Sequence, residues 1–377
     1  MNTKNRRLVL AGIVSLSLFA VACSDDKKTD STTTTPGTDA PTSTGATTTT
    51  QAAVKLAAQL NASGATFPKT FYEEAIAAFT KANSGVTINY AGGGSGKGRQ
   101  DLADQIVNWA GTDGTIADAD LAKYKGGAVL YFPTVVAPIT VSYNLSGVTK
   151  LQLSAETIAK IFQRQITKWN DAAIAADNPG VTLPGTAITV AHRSDSSGTT
   201  GNFTKFLDLA VGKGTTSAVW TLGSASTVQW PADTQAGEGN AGVAQIVKST
   251  DGAIGYVDLS DAKDAGLKMA NVKNAAGKFV EPTLDAASAA AAGAKIADNL
   301  TYSAIWATGD TAYPITAQTW IIAYTKQTDA AKGAALKAFL KYILTDGQKL
   351  ANTVNFAPLP AALATKALAQ LDLLVVG

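Results

Sequence analysis

Three short turns rich in glycine, serine and threonine most constrain how this chain can fold, because each joins a strand pattern to a helix pattern. They lie at 62–68, 92–98 and 193–200 and read ASGATFP, GGGSGKG and RSDSSGTT. A strand that passes through a tight turn into a helix is the repeating unit of α/β proteins. Each turn also leaves backbone N–H groups and short hydroxyls at the positive end of a helix, where anions bind. Helix capping explains any one turn, but three of them, one with an arginine, favour an anion site.

The rest of the chain continues this alternation. Alternating or continuous apolar runs predict strands, whereas apolar residues three or four apart predict helices. We expect strands at 56–63, 86–90, 129–143 (broken by Pro133 and Pro138), 188–191, 253–257 and 319–324. We expect helices at 68–82, across Leu102, Ile106 and Trp109, at 154–165, around 203–207, and at 286–294, 301–307 and 330–345. This order predicts an α/β fold with mainly parallel sheets, and the length of 377 residues predicts about two domains.

The composition excludes several functional classes. One Cys and one His cannot build a structural zinc site, an iron–sulfur site or an internal disulfide. The 31 basic and 29 acidic residues give no surplus of the kind that nucleic-acid binding requires. His192 is expected to be an ordinary strand-end or surface imidazole, and no G-x-S-x-G motif supports hydrolase chemistry. We therefore expect no enzyme activity, no cofactor, no metal and no nucleic-acid partner.

Residues 1–22 have the pattern of an export signal peptide. Three basic residues precede an apolar run, 8–22, that is too short and wrongly flanked to span a bilayer. The run ends directly before Cys23, the only cysteine, and the small residues ahead of it resemble the lipobox of bacterial lipoproteins. That resemblance implies cleavage before Cys23 and lipid on its thiol and new amino group. The alternative is an ordinary signal peptide that is cleaved after Ala22 and leaves a free thiol.

Residues 23–55 are predicted to comprise the lipidated Cys23 and a disordered tether. Within 24–50, 15 residues are Ser or Thr, and none is aromatic. Such a segment cannot bury enough surface to offset its ordering entropy. We therefore expect it to hold a globular body away from the membrane.

Two glycine patterns fall short of nucleotide-binding motifs. The turn at 92–98 nearly matches a P-loop, but Ala91 replaces the first glycine and Gly98 replaces the magnesium-binding hydroxyl. Residues 237–242 spell G-x-G-x-x-G, but 230–234 before them do not form a buried-strand pattern. We expect 237–242 to be a loop before a short helix.

Several stretches, taken together and in order, resemble the substrate-binding lipoproteins of bacterial high-affinity phosphate ABC transporters, the Pst type. They lie at 64–68, 90–98, 109–113, 132–135, 168–171, 193–199, 239–243 and 252–257. The resemblance implies an exported monomer, lipid-anchored at the outer face of the cytoplasmic membrane, that binds inorganic phosphate. It also implies two partners, the permease and ATPase subunits of a phosphate importer.

The same resemblance implies a periplasmic-binding-protein type II fold, with two α/β lobes, two chain crossings and a ligand cleft between the lobes. Lobe 1 would comprise 56–135 plus 316–377, and lobe 2 would comprise 136–315. The crossings are expected near 132–140 and 313–318.

A set of phosphate ligands also follows from the resemblance. It consists of donors and one carboxylate: Thr66, Phe67, Ser95, Asp113, Arg193, Ser197, Gly198 and Thr199. Asp195 matches a carboxylate that pairs with Arg193 and orients it. Phosphate near neutral pH keeps a proton that Asp113 can accept in a hydrogen bond, whereas sulfate presents a repelling lone pair. Arg193 offers a planar fork that a lysine cannot copy.

Three alternatives remain open on the sequence. The chain could bind another oxyanion, such as sulfate or molybdate, although Asp113 disfavours unprotonated anions. It could be an exported phosphatase, which would need an activated nucleophile or two metals. It could also be an adhesion or signalling lipoprotein that keeps the fold but has lost the ligand.

Overall fold

A computed structural model describes residues 56–377, so the predicted signal peptide, Cys23 and the tether lie outside the described residues. The strands are β1 (Ala58–Gly64), β2 (Val86–Ala91), β3 (Trp109–Thr112), β4 (Val129–Asn144), β5 (Gln152–Leu153), β6 (Thr189–Arg193), β7 (Gln235–Gly237), β8 (Ala253–Asp258), β9 (Lys268–Met269), β10 (Asn271–Lys273), β11 (Phe279–Val280), β12 (Thr316–Tyr324), β13 (Lys326–Gln327), β14 (Ala357–Pro358) and β15 (Val375–Val376). The helices are α1 (Lys69–Ala82), α2 (Gly94–Ala103), α3 (Ala155–Phe162), α4 (Ala172–Asp177), α5 (Gly198–Val211), α6 (Gly239–Ser249), α7 (Leu259–Asp264), α8 (Leu284–Ala292), α9 (Ala330–Leu344) and α10 (Ala361–Gln370). The predicted α/β class is confirmed.

A ten-stranded sheet runs through the protein in the order β2-β1-β3-β12-β4-β8-β6-β7, with β9 and β14 also paired to β4. The pairs at both ends are parallel, but β12 is antiparallel to β3 and to β4, and β4 is antiparallel to β8. The expectation of mainly parallel sheets is therefore wrong. Parallel neighbours are usually joined by a crossover helix. Long connections of another kind lead into β4 and β12, so these two strands are free to run antiparallel to their neighbours.

Strand β4 links the two ends of this sheet. Its residues 129–138 pair with β12, and its residues 139–144 pair with β8. Contrary to the sequence prediction, Pro133 and Pro138 do not break the strand. The pairing register with β12 shifts between Gln318 and Trp320, and Trp320 lies opposite Pro133. Such an irregularity accommodates a residue that has no N–H to donate.

Two predicted helices are wrong. Helix α2 ends at Ala103, and Gln105 has a positive φ of 58°, so Ile106 is exposed and Trp109 begins β3 instead. Residues 301–307 are not helical, because Trp306 has a positive φ of 57° and its N–H donates to Pro314 O at 2.8 Å. Within residues 56–377, no helix is long and apolar enough to cross a bilayer.

Helices cover the sheet and position the turns at its strand ends. Helices α1, α2 and α9 pack against β1–β3, and α5, α6 and α7 pack against β4–β8. A large apolar core includes Phe71, Tyr72 and Trp109, and a smaller cluster lies under α6 around Val243 and Val247. Because β1, β2 and β3 are parallel, their carboxyl ends lie along one edge, where ligands bind in open α/β sheets.

Candidate functional site

Turns at the carboxyl ends of four strands supply the candidate residues. Thr66 and Phe67 follow β1, and Ser95 lies in the first turn of α2, which follows β2. Asp113 directly follows β3, and Arg193 is the last residue of β6. All of these except Thr66 are buried. Glycine is required at the start of α2, because Gly94 has a φ of +89° and a Cβ there would overlap the carboxylate of Asp195.

Asn240, at the start of α6, connects two of these turns. Its backbone N–H donates to Oγ1 of Thr66 at 3.3 Å, and its Oδ1 accepts from Nη1 of Arg193 at 3.1 Å. The same Nη1 approaches Oγ1 of Thr199 at 3.4 Å. No individual role was predicted for Asn240, although it lies in a stretch that carried the family resemblance. Its Nδ2 is buried without a partner in the described part of the chain, so it is a further donor beside Arg193.

Gly198 brings α5 against the other turns. A Cβ built on Gly198 would lie 2.6 Å from Cβ of Asp113 and would overlap Oγ of Ser95. Real side chains do not tolerate such distances, so only glycine permits this approach. The structure therefore places Thr66, Ser95, Asp113, Arg193, Gly198 and Thr199 around one small region.

Several backbone donors in this region are unpaired. Within residues 56–377, the N–H groups of Thr66, Phe67, Ser95, Gly198 and Thr199 have no hydrogen-bond acceptor. The N–H group of Ser197 differs, because it donates to Ser226 O at 2.9 Å. The Oγ of Ser197 caps α5 by accepting from Thr200 N at 3.1 Å, which leaves its hydroxyl hydrogen free to donate. Unpaired N–H groups at helix starts attract an anion.

Asp113 is the carboxylate at the centre of the region, and it is 2% exposed. Its Oδ1 accepts from Oγ1 of Thr319 at 2.7 Å, and its Oδ2 accepts from Oγ of Ser95 at 3.2 Å. Burial raises the pKa of Asp113 from 3.8 to about 6, although hydrogen bonds from Thr319 and Ser95 and the positive charges of Arg193 and Arg99 oppose this shift. Asp113 is therefore mostly ionised at pH 7.5 and able to accept a hydrogen bond.

Arg193 is held by Asp195, as the family resemblance implied. Nε of Arg193 donates to Oδ1 of Asp195 at 2.7 Å, and Nη2 donates to Oδ2 at 2.5 Å. This pairing occupies one edge of the guanidinium. At the other edge, Nη1 donates to Asn240 and approaches Thr199, so an anion would share or replace these neutral acceptors. Asp195 is fixed in turn by the N–H group of Gly239, which donates to Oδ1 at 3.1 Å.

Sequence reasoning missed Thr319, Asn202 and Gln318. Thr319 lies on β12 and reaches Asp113 only because β12 pairs with β3. Nδ2 of Asn202 donates to the backbone oxygen of Asp113 at 2.9 Å, and Nε2 of Gln318 donates to Oδ1 of Asn202 at 3.1 Å. The sequence offered one signal for these residues: each is a polar residue within an apolar strand or helix pattern, and a buried polar side chain requires a hydrogen-bond partner.

The remaining sequence candidates lie outside the donor cluster. Lys97, which follows Ser95 in the turn at 92–98, is also outside the cluster, because its Nζ pairs with Asp101 at 2.7 Å. His192 is a buried strand-end imidazole with Nε2 3.0 Å from Oγ1 of Thr234, and it stacks on Trp230. Residues 237–242 run from the end of β7 into α6. Across residues 56–377, no group of three or more His, Cys, Asp or Glu side chains could hold a metal.

Comparisons with known proteins agree with this architecture. Residues 32–347 match a family model described as a PBP superfamily domain. A solved structure of a high affinity periplasmic phosphate-binding protein (PfluDING), bound with phosphate, has a TM-score of 0.69 and 24% identity, covering 83% of this chain and 94% of that one. The fold and the site therefore define a member of the PBP superfamily, and the predicted periplasmic-binding-protein fold is confirmed.

More similar sequences define the family within that class. The phosphate-binding protein PstS of Methanocaldococcus jannaschii is 37% identical over 314 residues, covering 77% of this chain and 79% of that protein. The PstS of Xylella fastidiosa (strain Temecula1) is 35% identical over 308 residues, covering 80% and 82%. The chain belongs to the PstS family of phosphate-binding proteins, which confirms the resemblance that the sequence motifs predicted.

Proposed function

We propose that this protein binds inorganic phosphate outside the cytoplasmic membrane and delivers it to the membrane subunits of an ABC-type phosphate importer. One observation carries the proposal: five backbone N–H groups without an acceptor in residues 56–377 lie in one region with Arg193 and the buried carboxylate of Asp113. Beyond its pairing with Asp195, Arg193 has only neutral acceptors, Asn240 and Thr199, which an anion can replace. The donors suit a multiply charged oxyanion, and the carboxylate suits one that carries a proton. The names of the PstS relatives agree with this chemistry.

Each proposed ligand has a distinct role. Thr66, Phe67, Gly198 and Thr199 donate backbone N–H groups to the phosphate oxygens, and Arg193 donates from its Nη1/Nη2 edge. Ser95 donates its N–H, and its hydroxyl turns to the ligand from the long 3.2 Å bond to Asp113. Ser197 contributes only its hydroxyl hydrogen, because its N–H is bonded to Ser226. Most of the anion's charge is therefore met by neutral dipoles rather than by countercharges.

Selectivity in this proposal comes from Asp113. Its ionised Oδ2 accepts a hydrogen bond from the P–OH group of hydrogen phosphate. Sulfate has no proton to donate and would leave two negative groups in contact in a buried region. An unpaired buried polar group costs about 1–3 kcal/mol, and more when it is charged, which is enough to exclude sulfate at similar concentration. This argument disfavours the alternative of a sulfate or molybdate binder.

The proposed ligands divide between two lobes, with 56–135 plus 316–377 in lobe 1 and 136–315 in lobe 2. The change of partner along β4, from β12 to β8, supports a crossing near 132–140. The start of β12 at Thr316 supports the return crossing. The close approach of Gly198 to Asp113 and Ser95 corresponds to a closed cleft. Phosphate is expected to stabilise this closed form by contacting both lobes.

We also propose that the protein is a binding protein and not a phosphatase. Ser95 has no histidine or lysine hydrogen-bonded to it in the described residues, so the cluster contains no activated nucleophile. Calorimetry of the ligand-free protein should show one tightly bound phosphate per chain. A parallel assay should detect no phosphate release from p-nitrophenyl phosphate. Absence of phosphate binding, or sustained phosphate release, would contradict the proposal.

The protein is further proposed to be a monomer anchored through lipid on Cys23. The position of this single cysteine directly after the apolar run supports the anchor. The variant Cys23→Ser, expressed in a bacterium, should move from the membrane fraction to the soluble exported fraction. Equal membrane retention of both forms would contradict lipidation. Sedimentation of the body, 56–377, should give the mass of a single chain.

A further inference from the structure

A cavity of about 460 Å³ lies beside the candidate site and shares Asp113 and Gly198 with it. Arg99, on α2, and Lys205, on α5, both line this cavity. These helices precede and follow the proposed crossing on β4, so the two cations come from opposite sides of the cleft. The phosphate ligands proposed above use neither of them.

Both cations lack a carboxylate partner. Within residues 56–377, neither Arg99 nor Lys205 forms an ion pair with Asp or Glu. Nη1 of Arg99 donates to Oγ1 of Thr112 at 2.9 Å, which is a neutral acceptor. Lys205 is half-buried, and desolvation lowers its pKa. A partly buried cation without a partner is unfavourable, so an anion in this cavity would be stabilised by both.

The carboxylates that line the same cavity are already engaged. Asp120 pairs with Lys123 at 2.7 Å. Asp113 accepts hydrogen bonds from Thr319 and Ser95. The cavity therefore retains an excess of unpaired positive charge, despite containing two acidic residues.

A buried hydroxyl adds a neutral donor. Tyr302 lines the cavity, is 8% exposed, and its OH has no hydrogen-bond partner in the described part of the chain. Its ring packs edge-on against Trp320, which also lines the cavity. A buried hydroxyl without a partner is rare in folded proteins and marks a place where a ligand or water completes the bonding.

We propose that Arg99, Lys205 and Tyr302 form a second, weaker oxyanion site that binds inorganic phosphate next to the inner site. The second site rests on the proposed function for its position beside a phosphate site. That it binds an oxyanion follows from the unpaired cations and the hydroxyl donor that line the cavity. The site offers donors only and has no free carboxylate to accept a proton, because Asp120 pairs with Lys123 and Asp113 serves the phosphate of the inner site. It should therefore accept sulfate as well as phosphate, which distinguishes it from the inner site.

The test uses protein whose inner site is already saturated with phosphate. Further phosphate, or sulfate, is added while the indole N–H resonance of Trp320 is followed by NMR. This N–H donates to Leu300 O at 3.0 Å and belongs to a side chain that lines the cavity. We expect a saturable shift with either anion, at concentrations on the order of 1 mM or above. Sodium chloride at equal ionic strength should give no saturable shift.

Variants identify the cavity as the origin of the shift. Lys205→Met and Arg99→Gln should each weaken the second event at least about tenfold. Both should keep the first, stoichiometric phosphate, which also shows that they fold. Lys349→Met, at an exposed position remote from the cavity, removes the same charge and should change neither event. A second event that is absent in the parent protein, or unchanged in both cavity variants, would overturn the proposal. If the inner site bound no phosphate, the sulfate titration would still test this site separately.

Discussion

Oγ1 of Thr319 donates a 2.7 Å hydrogen bond to Oδ1 of Asp113, across 206 residues of sequence. The antiparallel pairing of β12 with β3, in which Trp320 lies opposite Thr112, brings the two residues together. The bond occupies one oxygen of the buried carboxylate and leaves Oδ2 directed toward Ser95 and Gly198. The strand that returns from the second half of the sheet therefore orients the carboxylate of the candidate site.

Thr319→Val should weaken phosphate binding. Valine has a similar shape but cannot donate, so the ionised form of Asp113 loses a hydrogen bond of about 1.5–3 kcal/mol and its pKa rises further. We expect the phosphate dissociation constant to increase by about tenfold or more, measured by calorimetry at pH 7.5. Thr319→Ser keeps the hydroxyl and is the matched control. Equal binding by the valine and serine variants would show that this hydrogen bond does not act on the site.

Arg193→Lys should weaken phosphate binding by about 1–3 kcal/mol. Arg193 pairs with Asp195 along one edge and offers the other edge to the ligand, whereas a lysine nitrogen cannot do both in the same geometry. Arg164→Lys is a suitable control, because Arg164 pairs with Asp233 away from the cleft. Calorimetry on both variants checks this expectation. A larger loss in the Arg164 variant would contradict it.

Asp113 should contribute a loss of stability in the ligand-free protein as the pH rises through the range from about 4 to 6. Burial raises the pKa of Asp113 from 3.8 to about 6, so in that range the folded state binds this proton more tightly than the unfolded state does. Above pH 6 the penalty for keeping the ionised group buried is complete. Asp113→Asn should therefore raise the free energy of unfolding at pH 7.5 by up to about 3 kcal/mol, and by much less near pH 4.

Urea titrations of ligand-free protein at both pH values measure this difference. Asp346→Asn removes an exposed carboxylate and should show no such pH-dependent gain. If Asp113→Asn destabilised the protein equally at both pH values, the buried carboxylate would not be the titrating group.

Gly198→Ala should prevent tight closure. The added methyl group would overlap Oγ of Ser95 and approach Asp113, so the closed form would have to move these groups apart. Overpacking of this kind costs about 1–3 kcal/mol. Phosphate affinity should fall, and X-ray scattering should show a smaller decrease in radius on adding phosphate than in the parent protein. Gly293→Ala, which meets open space, is the control. An alanine variant that binds and contracts normally would contradict the assigned close approach.

The sequence predicted the parts of the fold that depend on local patterns. Apolar patterns located the helices α1, α5 and α9 and six of the fifteen described strands, namely β1, β2, β4, β6, β8 and β12. The other nine strands contain two to four residues each, which is too few to show a period. The end of α2 was missed because it depends on the left-handed backbone at Gln105, which no sequence pattern indicates for that residue type. The direction of β4 and β12 was missed because local periodicity does not encode which strands become neighbours.

The same distinction applies to the candidate site. Thr66, Ser95 and Gly198 lie in turns whose composition predicted anion binding, and the structure brings these turns together. Thr319 was not predicted, because its contact with Asp113 requires β3 and β12 to be neighbours. The charges of Arg99 and Lys205 are likewise visible in the sequence. Only the tertiary structure reveals that they share a cavity and that neither pairs with a carboxylate of residues 56–377.

The most direct test of the account is competition calorimetry with phosphate and sulfate at pH 7.5 on the parent protein and on Asp113→Asn. The parent protein should bind phosphate in the inner site while millimolar sulfate fails to displace it. The asparagine can donate as well as accept, so sulfate should compete much better in the variant, while phosphate binding persists. If sulfate displaced phosphate from the parent protein as readily as phosphate displaces itself, Asp113 would not discriminate between the anions, and the proposal of a phosphate-selective site would be contradicted.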